Sequence, residues 1–191
     1  MAKLDRYGEM LTEWNAKFNL IAESTLPIIW QRHFLDSAQL IKYFPNNVQT
    51  VTDLGSGAGF PGIILSIIGS FKVSLIESIG KKANFLRAVI GELDLNADVH
   101  SVRIESMHGV KFDIVTARAL KPLPLLLKLA MPLIKKDSVA VFLKGQKLDA
   151  ELTESSKYWK FDHEIFQSLS DPSGRVLKIS NLRSSSGNRK R

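Results

Sequence analysis

Apolar residues at Leu4, Tyr7, Leu11, Trp14 and Phe18 recur at alternating steps of three and four, which predicts an amphipathic helix ending near Asn19. Ser24 or Thr25 is expected to cap a second helix that tolerates Pro27 in its first turn and stops at Pro45-Asn46-Asn47. Its apolar side would carry Ile28, Ile29, Phe34, Leu35, Ala38, Ile41 and Phe44. From residue 48 the pattern changes to short β-branched runs that alternate with helical stretches, the sequence form of a wound parallel sheet. Strands are predicted over 48–53, 72–77, 99–103, 112–117 and 138–143, with helices over 61–68, 81–95, 122–134 and 147–159. Two further extended segments, 161–169 and 175–182, flank the turn Asp171-Pro172-Ser173-Gly174 and should pair as an antiparallel hairpin. The expectation is an α/β fold with a Rossmann-like, mostly parallel sheet ending in that hairpin over 48–183. An N-terminal helical extension over 1–47 precedes it, and a disordered basic tail over 184–191 follows.

No apolar run approaches the roughly 20 residues needed to span a bilayer. The polar start MAKLDRYGEM lacks the apolar core of a secretory signal, so a cytoplasmic protein without a membrane partner is expected. None of the 191 residues is cysteine, which excludes disulfides, thiolate zinc sites and thiol nucleophiles. The cysteine attack used by C5-pyrimidine methylating enzymes is excluded with them. The formal charge of +7 favours a polyanionic partner. Residues 1–50 carry five basic and five acidic groups, so the excess lies beyond them. Arg183, Arg189, Lys190 and Arg191 crowd the C-terminus, where counterion release can assist RNA docking. His33, His100, His108 and His163 show no H-x-x-x-H spacing, and no metal site is expected.

The stretch VTDLGSGAGFPG at 51–62 follows a predicted strand and opens a predicted helix, the context in which a glycine loop approaches a ligand. Gly57, Gly59 and Gly62 satisfy G-x-G-x-x-G, so a dinucleotide oxidoreductase is one alternative. Asp53 at the end of the first strand argues by Coulomb sign for a different ligand. A carboxylate opposes a pyrophosphate and complements the ammonium and sulfonium of S-adenosylmethionine (SAM). Glu77 ends the second strand, 22 residues after Gly55, where its two oxygens can accept both ribose hydroxyls of either cofactor. The three tyrosines, at 7, 43 and 158, fall outside the central sheet and leave an oxidoreductase without a catalytic Tyr-Lys pair. A non-enzymatic RNA-binding module is the other alternative, and it leaves the loop and Glu77 without a ligand.

Several further blocks, in order, make the sequence resemble the small-subunit ribosomal RNA guanine-N7 methyltransferase family (RsmG, also called GidB). They are WNAKFNL at 14–20, RHFLDS at 32–37, DLGSGAGFPGIIL at 53–65, ESIGKKANFL at 77–86, TARAL at 116–120 and FLKGQ at 142–146. The resemblance implies a class I SAM-dependent methyltransferase with an N-terminal helical extension. It implies action on one guanine of 16S rRNA, position 527 in the usual numbering, in the small ribosomal subunit, with a monomer and no DNA partner expected. SAM contacts carry over onto Gly55, Phe60, Ile104, Glu105 and Arg118, with Ser56, Gly57 and Gly59 lining the methionine part and Glu77 the ribose.

Guanine N7 already carries a lone pair, so its methylation needs no general base, and orientation supplies the catalysis. Exocyclic amine methylation commonly uses an Asn/Asp-Pro-Pro-aromatic loop after the fourth strand, where this chain reads Thr116-Ala117-Arg118-Ala119-Leu120. No acid or base is therefore assigned. Arg32, His33, Asp36, Arg118 and Lys144 are the candidates for positioning the substrate. Arg32 and Asp36 are expected to share a helix face at i, i+4, and Lys144 is placed for an RNA phosphate or the guanine at a strand's carboxyl end.

Overall fold

The computed structural model describes residues 1–185. Its strands are β1 (Thr50–Leu54), β2 (Lys72–Ile76), β3 (Ala97–His100), β4 (Phe112–Arg118), β5 (Ile134–Lys144), β6 (Trp159–Gln167) and β7 (Arg175–Ser184). They form one sheet in the order β3-β2-β1-β4-β5-β7-β6. The first five strands are parallel, and β7 runs antiparallel to both β5 and β6, as the turn at 171–174 predicts. The helices are α1 (Ala2–Phe18), α2 (Asp36–Ala38), α3 (Gly62–Ile68), α4 (Gly80–Leu93), α5 (Leu123–Ala130) and α6 (Leu148–Ser155).

Period-two alternation along the strands divides the core into two layers. On β5, Val139, Val141 and Leu143 face the cluster built with α1, α3 and α4, whereas Ala140 and Phe142 face α5 and α6. The extension shares the first cluster: Tyr7 and Leu11 from α1 are fully buried beside Ile63, Ile64 and Phe85. Each such side chain contributes about 2 kcal/mol of apolar burial. That burial fixes α1 to the sheet domain.

Four boundaries differ from expectation. The second helix is not regular and has no side-chain cap at Ser24 or Thr25. It divides into a 3₁₀ turn (Glu23–Ile28), a π-turn (Trp30–Leu35), α2 and a second 3₁₀ turn (Gln39–Tyr43). The Ser37 hydroxyl donates to the His33 carbonyl at 2.6 Å and the Gln39 amide to the Asp36 carbonyl at 3.0 Å, so side chains compete for the helix acceptors. The helix expected over 122–134 ends at Ala130 and passes into a 3₁₀ turn over Met131–Leu133, where Pro132 lacks the N–H that a continued α-helix would need. As a result β5 starts four residues early. The third strand lies at 97–100, and Val102 is left on the surface. The last helix stops at Ser155, before Trp159 enters β6. The expected basic tail lies outside the described residues from 186 onward.

Candidate active site

β1 and β4 are neighbours whose following connections leave in opposite directions, which opens a crevice at their carboxyl ends. Gly55 continues β1 there with φ 64°, in the left-handed region. A Cβ at that position would meet Leu120 Cδ1 at 2.5 Å. Glu77 follows β2. Its Oε2 accepts the Gly57 N–H at 2.9 Å and its Oε1 the Ile79 N–H at 2.7 Å, so the carboxylate is held rigidly against the glycine loop. These residues, with Ile104, Glu105, Leu120, Leu129 and Arg118, line a cavity of about 380 Å³.

The cavity fits the expected cofactor. A Cβ on Gly57 would meet nothing nearer than 3.8 Å, so the backbone is bare toward the open space. Each Glu77 oxygen keeps a lone pair for a ribose hydroxyl. Ile104, Leu120 and Leu129 supply apolar walls for a planar base.

Not every residue assigned to the cofactor reaches this cavity. Asp53, Ser56, Gly59 and Phe60 line neither it nor the neighbouring one. Asp53 is the main correction, since the sequence argument aimed its charge at the cofactor. It is fully buried behind the loop, where Oδ2 accepts the Gly62 N–H at 3.2 Å and Oδ1 the Thr116 hydroxyl at 3.0 Å. Burial raises its pKa from 3.8 to about 6, against the lowering effect of its hydrogen bonds. Asp53 therefore anchors the first turn of α3. Gly62 permits the close approach, because a Cβ there would meet Leu75 Cδ2 at 2.2 Å. Gly59 sits over Tyr7, whose hydroxyl donates to the Ala58 carbonyl at 2.5 Å. Sequence reading took Tyr7 only as an apolar position of α1. Its role under the loop had no local signal.

The five substrate-positioning candidates come together. Arg32, His33, Asp36, Arg118 and Lys144 all line a second cavity of about 430 Å³, which shares Arg118 and Ala119 with the first. Ala119 has φ 50°, a left-handed conformation that costs a residue with a Cβ about 1–2 kcal/mol. Arg118 forms the partition. Its guanidinium lies 4.8 Å above the Phe60 ring, donates to His33 Nδ1 at 2.9 Å and to the Arg32 carbonyl at 3.3 Å, and stands 3.5 Å from Asp36 Oδ2. Burial lowers its pKa, opposed chiefly by Asp36.

A guanidinium only donates, so His33 Nδ1 is an acceptor and the proton sits on Nε2, which donates to Thr25 Oγ1 at 2.8 Å. The Thr25 hydroxyl passes the chain on to the Ala22 carbonyl at 2.7 Å. Burial, with Arg118 and Arg32 nearby, lowers the His33 pKa from 6.5 to about 4 and keeps the ring neutral.

The expected Arg32–Asp36 pair does not form. Arg32 meets Asp171 at 2.8 Å, and Asp36 Oδ1 takes the Ser170 hydroxyl at 2.5 Å and the Gln39 amide at 3.1 Å. Lys144 is likewise committed elsewhere: it pairs with Glu151 at 2.5 Å and donates to the Lys121 carbonyl at 3.2 Å. Glu151 in turn accepts the Leu123 N–H at 2.7 Å, at the start of α5. Lys144 thus holds the 119–123 connection. The hairpin contributes Ser168, Asp171, Gly174 and Arg175 to the second cavity. The sequence argument used this segment only as a turn, although its three serines, acid and arginine were a visible polar cluster.

The profile of the GidB family, described as rRNA small subunit methyltransferase G, matches residues 1–176. Ribosomal RNA small subunit methyltransferase G from Gluconobacter oxydans is 45% identical over 95% of this chain and 93% of its own length. The protein of the same name from Hyphomonas neptunium is 47% identical over 93% and 86%. Two solved structures share the fold at low identity. A ribosomal protein L11 methylase from Lactobacillus delbrueckii subsp. bulgaricus has a TM-score of 0.60 at 19% identity, over 76% of each chain. TYW2 of M. jannaschii, in complex with AdoMet, has 0.61 at 16%, over 82% of this chain and 78% of its own. A profile match over most of the chain and relatives that share nearly half its residues show the family: the chain belongs to the GidB family and is a SAM-dependent methyltransferase of small-subunit ribosomal RNA.

Proposed function

We propose that the protein methylates N7 of a guanine in 16S rRNA, position 527 in the usual numbering, as a monomer in the cytoplasm where ribosomes assemble. The cavity of Gly55, Gly57 and Glu77 takes SAM, and the cavity of Arg32, His33 and Arg175 takes the base. Bound SAM supplies an electrophilic methyl on a sulfonium. The residues of this chain bind and orient.

One observation carries the choice of N7. Among the described residues that line the base cavity, the acid and base candidates are already engaged. His33 accepts from Arg118 and donates to Thr25, Asp36 holds Ser170 and Gln39, Asp171 holds Arg32, and Lys144 holds Glu151. The His33 ring has no lone pair left, and both carboxylates lie against an arginine that makes them weaker bases. A nucleophile with an available lone pair suits such a cavity, and an exocyclic amine does not. Arg118 and Ala119, shared by both cavities, set where the two reactants meet.

Incubation with labelled SAM and small subunits lacking the modification, followed by borohydride and aniline cleavage, tests this. A single new cleavage at that guanine is the expected result. Label incorporated without cleavage would place the methyl on another atom.

A further inference from the structure

Around the cofactor cavity four cations face two carboxylates. Arg118 is consumed internally, but the charged side-chain ends of Lys82, Arg103 and Lys121 make no hydrogen bond or ion pair with any described residue. Glu77 and Glu105 supply two negative charges against these three, so the rim is positive on balance. Lys128, equally without a partner, lies with His108 in an adjoining hollow of about 420 Å³ that shares Ile104, Glu105 and Lys121 with the cofactor cavity. This row of charge has the wrong sign for the cofactor. SAM carries an ammonium and a sulfonium against one carboxylate, so a doorway with an excess of positive charge does not attract it. A polyanion is their electrostatic complement. Ile79 and Val102, 50% and 38% exposed on the same rim, give such a ligand apolar surface to cover.

Resting on the reading above, we propose that the rRNA backbone crosses the mouth of the cofactor cavity, with phosphates held by Lys82, Arg103 and Lys121 and the strand continuing toward Lys128. The shared Arg118–Ala119 wall places this track beside the base cavity. One strand whose base enters the second cavity therefore closes over the first. Binding is then ordered: SAM enters before the RNA, and the demethylated cofactor leaves after it.

The test compares the full chain with R103Q/K121Q and with K111Q/K136Q, which removes the same charge from exposed lysines at the opposite, amino ends of β4 and β5. For R103Q/K121Q, binding to a 16S rRNA transcript should weaken about tenfold at 0.1 M salt. The slope of log affinity against log salt should fall by about 1.4, at about 0.7 for each single-strand phosphate contact. SAM affinity by calorimetry should stay within twofold, and K111Q/K136Q should match wild type. Added transcript should slow SAM release from preloaded wild type, and less so from R103Q/K121Q. Equal RNA losses in both doubles, lost SAM affinity with RNA binding intact, or SAM release indifferent to RNA would each overturn the proposal. A wild type that binds RNA but no SAM would instead overturn the cofactor assignment itself.

Discussion

Replacing Asp53 by Asn separates two opposed accounts of the same carboxylate. The side chain has no exposed surface, and burial holds its pKa at about 6, above the ordinary 3.8. At about 1.4 kcal/mol for each tenfold in acidity, ionisation at this site costs the folded state about 3 kcal/mol, with the attraction of Arg118 already included. The pKa is raised on folding, so the native state holds the proton more tightly than the unfolded chain. The stabilising contribution is complete below pH 4 and is lost as pH rises through about 6. Asn keeps the geometry: its oxygen can accept the Gly62 N–H and its amide can donate to Thr116 Oγ1. The Thr116 hydroxyl then turns to the Thr52 carbonyl, 3.3 Å away.

The measurement is urea unfolding of wild type and Asp53→Asn from pH 4 to pH 8. The stability of the variant relative to wild type should rise by about 2–3 kcal/mol across pH 4 to 7. His33, with its lowered pKa, contributes in the opposite sense over the same range, but it is present in both chains and cancels from the difference. A difference that is flat in pH would refute the reasoning. SAM affinity supplies the second test. A direct charge-assisted contact is worth about 1.5–3 kcal/mol, roughly 10- to 100-fold in affinity. The buried placement predicts a smaller loss than tenfold, and a larger one would restore the direct contact argued from charge sign.

Two further outcomes follow from the partition between the cavities. Gly55→Val forces a β-branched residue to φ 64° and drives its Cβ onto Leu120, which lines the cofactor cavity, so calorimetry should show SAM binding weakened at least 100-fold, with helical circular dichroism retained. Lys144→Ala strips Glu151 of its cation and the Lys121 carbonyl of its donor, which loosens the 119–123 connection. Both SAM affinity and methylation should fall, by about three- to tenfold. Reduced methylation with SAM affinity untouched would return Lys144 to the RNA contact that the sequence suggested.

The parts of the fold written in local periodicity were legible. The five parallel strands, the Asp-Pro-Ser-Gly hairpin and the glycine loop each depend on residues within one short window, and each was placed within a few positions. What failed depended on contacts distant in sequence. The regular helix expected after Ser24 gives way where buried Ser37 and Gln39 turn back on their own backbone, a choice set by what packs around them. Arg32 and Asp36 have the spacing of a pair, yet both are claimed by residues more than 130 positions away in the β6–β7 turn. Tyr7 under the loop belongs with these. No window of the sequence contains both the hydroxyl and the Ala58 carbonyl that receives it.

Asp53 shows why charge sign alone does not place a side chain. A carboxylate at the mouth of the crevice would remain hydrated until SAM arrived, whereas one beneath the loop exchanges hydration for two fixed donors and the field of Arg118. In that position its negative charge, with that of Asp36, lowers the cost of burying the arginine that separates the two cavities. Arg118 is thereby kept charged while almost withdrawn from water, and its donors are spent on His33 and the Arg32 carbonyl. The acid of the glycine loop therefore helps to stabilise the partition. On this argument Arg118→Met should remove the cation that favours ionised Asp53 and raise the Asp53 pKa further, so the variant should lose more stability at pH 8 than at pH 5. An equal loss at the two pH values would mean that Asp53 does not stabilise the partition.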